Sequence, residues 1–109
     1  MNKNYTIVLN AKDKYRFNCV KWVRDRIPKL PYGLISFNDK KKIINSHKAK
    51  IGRVAIMKVG LPWGHLGIIT EKGSDRIVIQ EANYKLGKIT ERQGTEEELK
   101  IVGYFNQNK

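Results

Sequence analysis

The sequence predicts an α+β domain, with a helix near the N-terminus followed by a run of antiparallel strands. Three observations carry this. Val20, Val23 and Ile27 recur at helical spacing behind Asn18, a residue type favoured as an N-cap. Pro28, Pro31 and Gly33 then interrupt the chain. From Val54 onward, short β-branched runs alternate with turn residues. A chain of 109 residues suits one domain, taken as residues 1–109.

The elements are expected in this order. Tyr5 to Leu9 is β-branched and short, a strand or extended arm. A helix runs from Cys19 to about Ile27 and stops at Pro28. Pro28 to Gly33 is a rigid connector. Asp39 to His47 is a second, very basic helix with Ile43 and Ile44 facing inward. Val54 to Val59 is nearly continuous in apolar residues, as in a strand covered on both faces. Leu61-Pro62-Trp63-Gly64 is a turn. His65 to Glu71 and Arg76 to Asn83 form a hairpin, Lys88 to Arg92 a further strand, and Ile101 to Phe105 the closing one.

Composition excludes several classes. No apolar run reaches the roughly 20 residues of a membrane helix. Met1 to Asn10 lacks the apolar core of a signal peptide. Synthesis in the cytoplasm is therefore expected. A single cysteine rules out an internal disulfide framework. The net charge is +12 and is unevenly spread. Residues 1–70 hold 15 Lys+Arg against 3 Asp+Glu, and residues 71–109 hold 7 of each. Such a field attracts polyanions.

One constellation has chemical use. With a three-residue loop of Lys72, Gly73 and Ser74, Glu71 faces Asp75 and His65 faces Glu81, on one face of the sheet. Asn83 then points to the same side. A slip of one residue would put His65 and Glu81 on opposite faces. A carboxylate fixes the tautomer of a histidine, whose other nitrogen can take a proton from a thiol. Cys19 begins a helix, where the dipole and unpaired N–H groups favour a thiolate and can hold an oxyanion. Taken singly, each residue also has a plain structural reading: a packed thiol, a helix cap, a hydrogen-bonded histidine. Zinc is not expected, because His47 and His65 lack an accompanying Cys-x-x-Cys pattern.

The same residues carry a family resemblance. Tyr15-Arg16-Phe17-Asn18-Cys19-Val20-Lys21-Trp22-Val23-Arg24 resembles the nucleophile motif of CHAP domains, the cysteine- and histidine-dependent amidohydrolases/peptidases. Gly52-Arg53-Val54-Ala55-Ile56-Met57 resembles their first core strand, with Arg53 where an acidic residue is common. Gly64-His65-Leu66-Gly67-Ile68-Ile69 is similar to their histidine strand, and Ile79-Gln80-Glu81-Ala82-Asn83-Tyr84 to their Glu-x-Asn strand. Gly94-Thr95 and Ile101-Val102-Gly103-Tyr104-Phe105 match the family's ending. The order and spacing hold across most of the chain.

The resemblance implies a papain-like fold and cleavage of amide bonds, most often in bacterial peptidoglycan. It implies Cys19 as nucleophile, His65 as base, Glu81 as the group orienting His65, and Asn83 as a fourth polar member. Asn18 becomes an oxyanion candidate. No metal or organic cofactor is implied, and the site of action would be the bacterial cell wall. The excess positive charge would hold the protein on anionic wall polymers. Two rival readings stand beside it. One is a nucleic-acid-binding module with Lys40, Lys41, Lys42, Lys48 and Lys50 on phosphates, disfavoured because no aromatics interleave with that run. The other is a catalytically inactive CHAP-like structural or virion protein.

Overall fold

A computed structural model describes residues 5–10 and 18–109. Tyr15, Arg16 and Phe17 of the nucleophile motif lie outside the described residues. Strand β1 (Thr6–Asn10) is followed by helix α1 (Cys19–Arg26), the short helix α2 (Phe37–Lys41) and strands β2 (Val54–Met57), β3 (His65–Lys72), β4 (Ile77–Ala82) and β5 (Lys88–Gly94). A one-turn helix α3 (Glu96–Leu99) and strand β6 (Ile101–Phe105) complete the order. The strands form one six-stranded sheet in the order β1-β5-β4-β3-β2-β6. Every neighbouring pair is antiparallel. No helix among the described residues is long and apolar enough to cross a membrane.

Helix α1 starts where the sequence places it. Asn18 Oδ1 accepts from the Lys21 backbone N–H at 2.9 Å, satisfying one of the donors a helix start leaves open. The helix ends at Ile27, whose N–H closes on Val23 O just before Pro28. Trp22, Val23 and Ile27 are buried against Val54, Ile56, Leu66, Ala82 and Ile89, which seats α1 on the middle of the sheet. Burying each such side chain contributes roughly 1.5–3 kcal/mol. The opposite face of the sheet buries Ala55, Met57, Ile69, Ile79 and Tyr104 under Leu99 of α3. Val54 to Met57 therefore alternate between two cores, as their unbroken apolar run predicts.

The second helix differs from expectation at both ends. It begins at Phe37, because Ser36 caps it and Asp39 is the third helical residue, not the first. Ser36 Oγ accepts from Asp39 N at 3.1 Å, and Asp39 Oδ2 accepts from Ser36 N at 3.0 Å. It ends at Lys41 because the chain is drawn to β6: Asn45 and Asn106 exchange two hydrogen bonds, and Ser46 pairs with Tyr104. Ile43 and Ile44 do face the core, in the turn after the helix. Ile44 occupies the space that a side chain at Gly103 would need, 2.6 Å from where its Cβ would lie.

The β3–β4 hairpin corrects the expected register. Lys72 pairs with Ile77, so the loop is Gly73–Arg76, longer than the three residues assumed. The Gly73 N–H closes on Arg76 O at 2.8 Å. That change alone shifts the pairing by an odd number and would separate His65 from Glu81. A bulge between Ile69 and Glu71 removes one residue of the shift, with Thr70 as the extra residue. Beyond it Ile68 pairs with Gln80, an even displacement from the predicted register. Continued, this places Gly67 opposite Glu81, so His65 and Glu81 are diagonal neighbours on one face.

Candidate active site

His65 opens β3, one residue after Gly64. Gly64 has φ +74, and a Cβ there would lie 2.8 Å from Phe37 Cδ1. The turn before His65 is thus packed directly on α2. The imidazole Nε2 lies 3.0 Å from Glu81 Oε1. Gly67 keeps this corner open, since a Cβ there would meet Met57 Cε at 3.2 Å and Glu81 Cβ at 3.4 Å. Cys19, in the first turn of α1, is half-buried, and the His65 ring is near enough to act on its thiol electrostatically.

Glu81 has 0% relative exposure and is satisfied at both oxygens. Arg92 Nε donates to Oε2 at 2.7 Å and Arg92 Nη2 to Oε1 at 2.8 Å, a bidentate clamp. Thr90 Oγ1 lies 3.4 Å from Oε2. The Arg92 guanidinium sits 3.8 Å from the Tyr84 ring centroid, and the Tyr84 ring tilts against His65 at 6.2 Å. The hydrogen-bonded series is therefore imidazole, carboxylate, guanidinium, with the thiol of Cys19 on α1 acting on the ring through its charge.

The electrostatics follow from this geometry. Burial pushes the Cys19 thiol up, but the His65 hydrogen bond and charge, the Leu66 amide and the Lys40 charge outweigh it. The thiol titrates below its ordinary value. Burial lowers His65, and its bonds to Cys19 and Glu81 more than reverse this, raising it to about 9. Burial raises Glu81, and Arg92 and His65 hold it below the usual carboxylate value. The geometry thus favours the thiolate and the imidazolium over the neutral pair, beside a carboxylate held in its charged form.

The other two predicted site residues are placed differently. β4 ends at Ala82, and Asn83 has φ 64, a left-handed backbone that asparagine tolerates. Its Oδ1 accepts from Gly87 N–H at 2.9 Å, so it closes the turn between β4 and β5. The expected continuation of the strand through Asn83 is not found. Asn18 lies beside Cys19 in the same cleft, with its Oδ1 engaged in the helix cap. The first-turn N–H groups of Cys19 and Val20 have no partner within the helix, as at any helix start.

Sequence reasoning missed Arg92 and Lys40. Arg92 carried a signal: in a strand over Lys88 to Arg92, Thr90 and Arg92 share a face, and a buried carboxylate on the neighbouring strand demands a cation. Lys40 carried none, because it reads as one of a solvated basic run. It has only 2% relative exposure and is removed from any phosphate contact. The cleft beside Cys19 has a volume of about 450 Å³, and Tyr32, Ile35 and Trp63 on its rim are exposed. No protein-family model, no curated protein and no solved structure matches this chain.

Proposed function

We propose that this protein is a cysteine-dependent amide hydrolase of the CHAP type, with papain-like packing of the nucleophile helix on the sheet. The observation that supports the reading is the gathering of Cys19, His65 and Glu81 from α1, β3 and β4, with the ring 3.0 Å from the carboxylate and its charge acting on the thiol. The substrate class is an amide or peptide bond, with bacterial peptidoglycan as the first choice from the motif resemblance. The action would be at the cell wall.

The cycle is acyl transfer. The Cys19 thiolate attacks the carbonyl carbon, and the first-turn N–H groups of α1 hold the oxyanion, with Asn18 beside them. The His65 imidazolium gives its proton to the leaving amine. The neutral ring then takes a proton from water, which opens the thioester and restores the thiol pair. Glu81 accepts from Nε2 throughout and keeps the other ring nitrogen aimed at sulfur. Asn83 shapes the turn that brings Tyr84 over Arg92.

The decisive experiment uses peptidoglycan digestion followed by mass spectrometry of the fragments. New amino termini from the wild type and none from Cys19→Ala, with unchanged circular dichroism, is the expected result. Turnover retained in Cys19→Ala overturns the nucleophile assignment. Rapid labelling of Cys19 by iodoacetamide near neutral pH sets this reading apart from a nucleic-acid module or an inactive relative.

A further inference from the structure

Lys40 is the buried titratable group that the cycle above does not use. Its Nζ lies 3.0 Å from Leu34 O, 3.0 Å from Ile35 O and 2.8 Å from Trp63 O. Three carbonyl acceptors need three donors, and only the ammonium form of lysine has three. The group is therefore charged in place. Two of its carbonyls come from the segment before α2. The third belongs to the turn that leads through Gly64 into His65. Lys40 and Cys19 wall the same cleft, which also receives Arg24 from α1. No carboxylate lines that cleft among the described residues.

Resting on the hydrolase reading, we propose that Lys40 is a positioning residue of the site. Its clamped ammonium fixes the wall that carries His65 and lends a positive charge to the Cys19 sulfur. The thiolate is then held by two cations, the His65 ring on β3 and the Lys40 ammonium on α2. Among the described residues, other charged groups around the site have partners of their own. The Arg24 guanidinium bonds to Pro31 O at 2.6 Å and stacks on Tyr32. Glu81 lies behind the ring, paired both with Arg92 and with His65. Asp39 is committed to the Ser36 cap. Burial lowers Lys40, while Cys19 and Asp39 act in the opposite direction, as a thiolate neighbour must.

The test is the pH dependence of Cys19 alkylation by iodoacetamide in the full chain. Lys40→Gln keeps two donors for the three carbonyls and drops the charge, and Lys40→Met drops both. The midpoint for thiolate formation is expected to rise by about one unit in Lys40→Gln, the order of effect of one nearby charge at intermediate dielectric. Lys40→Arg should return the midpoint towards the wild-type value. A folded Lys40→Gln variant with an unchanged midpoint overturns the proposal, whereas an unreactive wild-type thiol overturns the hydrolase reading instead. Should both variants lose the fold, Lys40→Ala is refolded in ethylammonium chloride, the small cation that would fill the carbonyl cage. Recovery of fold and thiol reactivity together supports the role. Recovery of fold without reactivity, or no recovery in ethylammonium, overturns it.

Discussion

Glu81 stands between two cations, and its two oxygens divide the work. Oε1 meets both the His65 ring and Arg92, while Oε2 takes the second arm of the guanidinium and Thr90. Without Arg92 the carboxylate would be desolvated beside a single titrating ring, and its burial would favour the protonated form. Glu81→Gln therefore has two expected consequences. Arg92, with 6% relative exposure, is left without its counter-charge, which costs about 3–5 kcal/mol in urea unfolding. The imidazolium also loses its stabilising charge. Since His65 is raised to about 9 in the wild type, the active pair is lost as pH rises through that value. In Glu81→Gln that alkaline limit of kcat/KM moves to lower pH. A limit that stays where it is would remove Glu81 from the relay, whatever happens to stability.

At the scale of elements, β3 serves as the ruler of the site. Its bulge at Thr70 returns the hairpin to the parity that puts His65 and Glu81 on one face, and Gly67 makes room between them. An added methyl at Gly67 would lie 3.2 Å from Gln80 O, a backbone atom that cannot turn away. Gly67→Ala should cost about 1–3 kcal/mol by urea denaturation and lower kcat more than Cys19 labelling, because it spreads the His65–Glu81 pair first. Equal loss of both would mean that α1, not the hairpin, has moved. The same elements show what a sequence can disclose. The α1 cap and the apolar stripe were legible because their partners lie within one or two turns. The identity of His65 and Glu81 as neighbours was legible too, but the stated register was not. A loop one residue longer and a compensating bulge are invisible to pattern counting, since Thr70 fits a strand either way. Lys40 shows the same limit more sharply. Its third acceptor, Trp63 O, is remote in sequence, so nothing local distinguishes it from Lys41 and Lys42. The start of α2 was legible in retrospect through Ser36-x-x-Asp39, a capping pattern with aspartate in place of the usual glutamate.

For the whole molecule, charge and topology are arranged together. Residues 1–70 carry the entire positive excess, and they supply α1, α2 and the turn around the Cys19 cleft. The neutral second half supplies β4, β5 and α3, whose first turn holds Glu96, Glu97 and Glu98. A polyanion is therefore drawn to the cleft side and repelled near α3. If the substrate is a wall bearing anionic polymers, this field would do the job of a separate binding domain. Attraction between exposed charges fades as the Debye length shrinks from about 10 Å at 0.1 M to about 3 Å at 1 M salt. Cleavage of whole walls should thus fall by about tenfold across that range, following weaker polymer binding. Cleavage of a small neutral amide should change little, because the buried thiol pair is poorly screened. Whole-wall activity that holds steady across the range would mean that the positive field plays no part in holding the substrate, leaving recognition to the exposed rim of Tyr32, Ile35 and Trp63.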